Sequence, residues 1–406
     1  MKHYTLNNYT TWLHRGFRNM QNINIKKVLV IIFIITFLIK VPNSFSVSSE
    51  VDLLVKILLK KGIITQEEAD EVLKEMEVAT KTKEEKEKKE KAPCFVSINS
   101  GNLQISGYIQ GKYEHFEAPA TTDSTSIKSA VISIQGKITD DINYKIESNF
   151  AKKDNILNEA WIKFTNIFNM GITIGQMKVP YSEEFIQSSA VIDTIERSLP
   201  TLNMSHERDI GLVIDSYLFS QRVYYAAGVF NGTGINTADN NDQKDVVMKL
   251  VFSPFISERN SGLTGLKLGV NFMTGEQDKG INDYSRERFG YLLKYEFENF
   301  KLQSEYLTER NEYKNPATLD IFENGWYVLA TYNFLLPNEM KLQPVIKYEI
   351  YDPNDNNVND IQTITTLGLN WFINKYTKLM LNYRIRNDEA GTNRYNEFLT
   401  QLQVKF

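Results

Sequence analysis

Residues 393–406 read NRYNEFLTQLQVKF, and they decide the fold. Phe398, Thr400, Leu402, Val404 and Phe406 fall on one face of an extended chain, and Glu397, Gln401, Gln403 and Lys405 on the other. A period of two is the signature of a strand with two unlike faces. The same alternation runs backward through the chain. Phe289, Tyr291, Leu293, Tyr295 and Phe297 oppose Lys294, Glu296 and Glu298, and Leu266, Leu268, Val270 and Phe272 oppose Lys267 and Asn271. Tyr144, Ile146 and Phe150 oppose Lys145, Glu147 and Asn149.

Sixteen such segments are predicted, near 105–117, 126–139, 142–153, 157–166, 171–183, 208–219, 222–233, 244–255, 265–276, 286–298, 301–312, 323–335, 341–351, 362–374, 377–387 and 393–406. Their connections alternate. Links at 139–142, 219–222, 298–301 and 374–377 are tight, whereas 117–126, 184–207, 233–244, 276–286, 312–323 and 351–362 are long and rich in Asn, Asp, Gly and Ser. Two links, at 153–157 and 255–265, break the alternation. An even number of strands with short turns at one end and long loops at the other is the pattern of an outer-membrane barrel. Closure also leaves no strand edge exposed to lipid. Sixteen strands enclose a lumen too wide for side chains to fill, so the apolar face must point to lipid and the polar face to water. The expectation is an all-β, sixteen-stranded antiparallel transmembrane barrel with a short N-terminal α-helical extension. Tyr181, Trp326, Tyr348 and Trp371 are candidates for aromatic girdles at the membrane interfaces.

The front of the chain is organised differently. Lys26-Lys27 precede a twelve-residue apolar run, Val28 to Ile39, which is too short to span a bilayer as a helix and fits a signal-peptide core. Ser44 and Ser46 suit cleavage before Val47, and Met20 offers a conventional start. Residues 1–46 therefore read as a signal peptide. Residues 47–92 read as a helical, coiled-coil-forming extension: two amphipathic helices divided by Gly62, the second with a Thr65/Glu68 capping box, then the charged spacer KTKEEKEKKEK at 81–91. Residues 93–406 are the barrel.

Composition narrows the function. The barrel region holds 30 Lys/Arg against 38 Asp/Glu, the wrong sign for a nucleic-acid binder. The chain has 1 Cys and 4 His, of which only His115 and His206 follow the signal. No phosphate-binding loop, dinucleotide fingerprint, zinc-protease or serine-hydrolase motif is present, and no cofactor or metal is expected. YDPNDNNVND at 351–360 lacks the glycine and closing glutamate of a calcium loop and reads as a solvated external loop.

The preface LLVKILLKKGIITQEEADEVL, the segment WIKF…ITIGQMKVPYSEE and the stretch SSAVIDTIERSLP…HERDIGLVI resemble the phosphate-selective porin O and P family. The resemblance covers most of residues 50–406. It implies a homotrimeric sixteen-stranded porin whose third external loop, here about 184–207, folds inward and narrows the lumen, and whose N-terminal helical extension sits in the periplasm. Its partners would be small hydrophilic solutes or ions, phosphate among them, with membrane lipid and lipopolysaccharide around it. Within that loop Asp193, Glu196 and Arg197 are the candidate constriction charges, flanked by Lys178 and Arg208. Arg208 and Asp209 also read as structural pairs, and Glu196 and Arg197 as residues of a short helix that pair with the barrel wall and hold the loop in place. The lumen-facing set mixes signs: Lys112, Lys145, Lys163, Lys267, Lys294 and Lys347 alternate with Glu114, Glu147, Glu159, Glu296 and Glu349. With one basic residue in the loop and a net acidic barrel, a general or weakly selective diffusion pore is the expectation. Phosphate selectivity is the alternative, and a surface-tethering barrel is the alternative of another class.

Overall fold

The computed structural model describes residues 96–98, 103–118, 121–205, 208–256, 262–277, 283–389, 391 and 395–406. The expected signal peptide and helical extension lie outside the described residues. So do His206 and Glu207.

Among the described residues, eighteen strands form one antiparallel sheet. They are β1 (Val96–Ile98), β2 (Leu103–Phe116), β3 (Ser124–Thr139), β4 (Ile142–Asn149), β5 (Leu157–Ile167), β6 (Met170–Lys178), β7 (Arg208–Leu218), β8 (Val223–Phe230), β9 (Asp245–Phe252), β10 (Lys267–Gln277), β11 (Tyr284–Phe297), β12 (Phe300–Tyr313), β13 (Ile321–Tyr332), β14 (Phe334–Leu335), β15 (Lys341–Asp352), β16 (Gln362–Phe372), β17 (Thr377–Asp388) and β18 (Tyr395–Lys405). The two shortest, β1 and β14, are accessory, and the other sixteen pair each with the next. β18 pairs with β2, with Glu397 opposite Phe116 and Lys405 opposite Tyr108, so the sheet closes into a sixteen-stranded barrel.

Each expected strand is found. The segment near 171–183 ends early, at Lys178, because Pro180 lacks an N–H and Ser182 caps a helical turn. β1 was not foreseen. It pairs with Leu103–Ile105, on the edge of β2 that β18 no longer covers. At the junction Gly107 and Phe406 exchange both backbone hydrogen bonds, at 2.8 and 3.0 Å. The Phe406 ring lies where a side chain at 107 would stand: a Cβ there would meet Cζ of Phe406 at 2.6 Å.

The faces divide as the alternation requires. Ile109, Ile132, Ile146, Val270, Tyr291, Leu367, Phe398 and Leu402 are exposed on the outside. Gln110, Asn271, Gln303, Glu305, Lys347, Asn370, Asn382 and Gln403 are buried on the inside. Exposed aromatics crowd the short-turn end, among them Phe168, Phe219, Phe300, Tyr332 and Trp371. Phe168 and Asn169 both take positive φ (54° and 62°), which gives the β5–β6 turn the twist a tight hairpin needs. Tyr181 is not a girdle residue. It is fully buried inside the barrel, and its hydroxyl donates to the Phe289 carbonyl at 2.8 Å.

The lumen is also not uniformly polar. Val179, Tyr181, Leu199 and Met204, from the β6–β7 connection, pack with Met177, Val213, Phe230, Val247, Met273, Leu307, Tyr351 and Ile364 of the wall. Burying a side chain of this size is worth about 1.5–3 kcal/mol. A loop that brings several such groups inside is therefore held there by packing as well as by polar contacts.

Candidate functional site

The β6–β7 connection contains two short helices, α1 (Glu183–Ile186) and α2 (Leu199–Met204). Ser182 caps α1, its hydroxyl accepting from the Phe185 N–H at 3.2 Å. The wall completes both caps. Glu305 of β12 accepts from the N–H groups of Glu183 (2.7 Å) and Glu184 (2.8 Å), and also from the Tyr327 hydroxyl (2.7 Å). Glu349 of β15 accepts from the Leu199 N–H at 2.8 Å, at the start of α2. The first N–H groups of a helix have no partner within it, and a carboxylate is the best acceptor for them. Between the helices, Glu184 joins the two turns by accepting from the Ser198 N–H and hydroxyl.

The rest of the segment is tied to the adjacent strands β15–β18 and β2. Lys378 donates to the Ile192 carbonyl, Asn370 to the Asp193 carbonyl and Lys347 to the Glu196 carbonyl. Asn382 accepts from the Ile195 N–H at 2.7 Å. Gln110 of β2 and Gln403 of β18 bond each other at 2.7 Å, and they donate to the Ser189 and Ala190 carbonyls at 3.0 and 3.1 Å.

The charges singled out from sequence take distinct places. Asp193 pairs with Lys301 at 2.8 Å. Glu196 pairs with Lys112 and Lys128, both at 3.0 Å. Burial alone would raise the Glu196 carboxyl, but Lys128 and Lys112 outweigh it and hold the group below the usual carboxylate range. Glu183 behaves alike: burial opposes ionisation, and Lys249 and Lys294 override it. Arg197 bonds to its own segment. Its guanidinium donates to the Glu184 and Gln187 carbonyls at 3.3 and 2.7 Å and lies 5.1 Å from the Phe185 ring centre. Lys178 reaches the same turn, donating to the Ile186 and Gln187 carbonyls at 3.0 and 2.8 Å. Arg208 does not pair with Asp209. It lies 3.4 Å from Glu159 and 3.5 Å from Glu147, while Asp209 accepts from the Ile210 and Gly232 N–H groups.

The wall charges form local sets. Lys145 bridges Glu147 (2.8 Å) and Glu159 (3.0 Å), and Lys163 pairs with Asp215 at 2.7 Å. Lys294 lies near Glu183 and Glu296, and Lys347 near Glu184 and Glu349. Lys267 also acts on Glu183.

Three participants were missed. Glu305 and Tyr327 look in sequence like ordinary lumen residues, because the helix ends they serve are far away along the chain. Lys128 was hidden by a bulge. Between Gln110 and Gly111 the β2–β3 register shifts, so both Lys128 and Ser129 face inward while Ile127 remains outside. The extra residue in β3 is what lets Lys128 reach Glu196.

Known proteins agree with this architecture. An uncharacterised protein of Aquifex aeolicus is 26% identical over 417 residues, covering 89% of this chain and 96% of its own. An anion-selective porin from Comamonas acidovorans has a similar fold, with a TM-score of 0.58 at 11% identity over 75% of this chain and 99% of that one. The trimer form of OmpT, an outer membrane protein of Vibrio cholerae, gives 0.56 at 12% identity over 76% of this chain and all of its own. The family model for phosphate-selective porin O and P matches residues 103–296 and 281–406. With the barrel closed, its apolar face outward and its charged face inward, the chain belongs to the phosphate-selective porin O and P family and is an outer-membrane channel for small solutes or ions.

Proposed function

We propose that the protein is a passive diffusion channel narrowed by the β6–β7 connection, and that Asp193, Glu196, Arg197, Lys178 and Arg208 set the charge at its narrowest part. The observation that supports this best is the ring of bonds from that segment to inward-facing side chains of β2, β3, β12 and β15–β18. A charge in a narrow passage with low-dielectric walls alters ion partition far more than one at a wide mouth. The chain works as a homotrimer embedded among lipid and lipopolysaccharide. Residues 1–46 are removed on export, and 47–92 remain on the periplasmic side.

A second reading, an anion-preferring channel that would accept phosphate, draws on a basic cluster at the short-turn end. Lys341, Lys378 and Lys405 act on one another there, and Asp193, already paired with Lys301, is the acid among them.

Planar-bilayer recording of purified protein tests both. The channel reading expects discrete conductance levels in steps of three, and the sign of the zero-current potential in a salt gradient decides anion preference. Silence would favour a surface-tethering barrel. Arg197→Glu should shift that potential toward cations, more than Lys405→Glu does. The shift should shrink toward 1 M salt, where the Debye length is about 3 Å. An unchanged potential at low salt would remove Arg197 from the constriction and leave the channel assignment standing.

A further inference from the structure

We infer that the lipid-facing wall carries a site for one anionic phospholipid of the periplasmic leaflet, its acyl chain in an apolar groove across β15–β18 and its headgroup against Lys375. The site is independent of what the lumen conducts.

The groove holds about 410 Å³. Two rows of outward side chains line it. Pro344, Leu369 and Leu381 stand side by side on β15, β16 and β17, and Leu367, Tyr383 and Phe398 form the next row on β16, β17 and β18. Two residues open it. Proline has no N–H to give to a ladder and is tolerated only where none is needed. Pro344 falls in such a gap: Val345 pairs with Thr331 of β13 and Leu342 with Phe334 of β14, and neither strand pairs with Pro344 itself. Gly368 has no side chain on the inner face, where Asn382 and Val345 close over it, 2.7 and 3.2 Å from where a Cβ would stand. Its backbone forms part of the groove.

An apolar lining fits a lipid tail or another protein equally, and the two ends of the groove distinguish them. Toward the short-turn end, which faces the periplasm in an outer-membrane barrel, one more outward row, Trp371 beside Leu379, separates the groove from the turn after β16. That turn exposes Lys375 and Tyr376, with the lysine Nζ 4.9 Å from the ring centre. The strand from Leu369 down to the turn covers roughly 10–13 Å, within a hydrocarbon half-thickness of about 15 Å. Lys375 therefore lies at headgroup depth for a chain seated in the groove. An indole, a phenol and an ammonium at that depth match an anionic headgroup. The opposite end is acidic: Glu117 accepts from the Tyr383 hydroxyl at 3.4 Å and from the Asn396 amide at 2.7 Å. An anionic lipid entering from that side, lipopolysaccharide included, meets a carboxylate where its phosphate needs a cation. The two ends together orient the occupant with its head toward the short turns.

Native mass spectrometry of the full chain tests this. Protein purified in mild detergent, with its heat-modifiable mobility intact, is incubated with an equimolar mixture of phosphatidylglycerol and phosphatidylethanolamine. One phosphatidylglycerol per chain should stay bound. Leu381→Trp fills the groove and should lower that retention at least about tenfold, since the acyl chain loses its apolar contacts. Leu367→Trp, in the same groove, takes its place if Leu381→Trp does not assemble. Leu293→Trp, exposed on the outward face of β11, is the control and should change nothing. Lys375→Gln should lower phosphatidylglycerol retention about fivefold, the effect of one basic side chain at an anionic surface, and leave phosphatidylethanolamine unchanged. No retained lipid, equal loss in Leu293→Trp, or indifference to Lys375→Gln would each overturn the site. So would lipopolysaccharide as the species that Leu381→Trp displaces, which would put the occupant in the outer leaflet. If Leu381→Trp splits an oligomer and leaves lipid retention unchanged, the groove is a contact between copies and the lipid assignment fails.

Discussion

Glu196 is ionised because Lys128 and Lys112 offset its burial, and this sets a pH dependence. Its carboxyl is depressed in the folded chain relative to about 4.3 when unfolded. The stability it confers is therefore fully present above the unfolded value and is lost as pH falls through the lower folded value. Glu196→Gln should lower the urea midpoint of the detergent-solubilised barrel at pH 7, and the difference from the unmutated protein should narrow as pH falls below the usual carboxylate range. A difference that persists unchanged into acid would mean the amide disturbs packing and that the lysine pairs contribute little. Gly107 offers a purely steric case. The Phe406 ring and the Val131 carbonyl occupy the space of any side chain there, whereas Gly111, four residues on, has nothing within 4 Å. Gly107→Leu should reduce the heat-modifiable fraction in membranes several-fold, since overpacking costs about 1–3 kcal/mol and here falls on the closure. Gly111→Leu should assemble normally.

The strands could be read from the sequence nearly to their ends, because their alternation is local and is enforced twice, by lipid outside and by polar contacts inside. What lies within the lumen could not. Ile192, Ile195, Leu199 and Met204 show no period, and their burial depends on partners more than a hundred residues away, such as Asn382 and Glu349. The same is true of the caps on α1 and α2: a glutamate in a strand carries no mark of the helix it will meet. Strict alternation even places Lys128 on the wrong face, because the bulge at that point is set by pairing with β2. β1 is three residues long and has too few alternations to be recognised. The capping role of Glu305 has a direct consequence. Glu305→Ala leaves the N–H groups of Glu183 and Glu184 and the Tyr327 hydroxyl short of an acceptor, at about 1–3 kcal/mol for each buried group left unsatisfied. Unfolding in urea should reveal that loss, and single-channel records should become noisier as α1 loosens. Glu305→Gln, which keeps one carbonyl oxygen as acceptor, should recover part of both. Equal behaviour of the two variants would deny the carboxylate its capping role.

Closure of the sheet from β2 to β18 uses residues 103–406 alone. Deleting residues 50–91 should therefore leave a barrel that inserts and conducts with unchanged unitary current. Complete loss of outer-membrane insertion would show instead that the extension takes part in folding. The inserted segment has a mechanical side as well. Its Ser189 and Ala190 carbonyls are held by Gln110 and Gln403, one from each strand of the closure, while its helices are fastened to β12 and β15 further round the wall. A thin cylinder squeezed by lateral membrane pressure tends to flatten, and the joint between its first and last strands is where it would tear. A beam riveted to both lips of that joint and to further strands of the wall resists both kinds of failure. It also orders events during construction: the joint is not fully fastened until the beam is seated, so the final zippering of β18 onto β2 and the tucking-in of residues 179–205 should finish as one step.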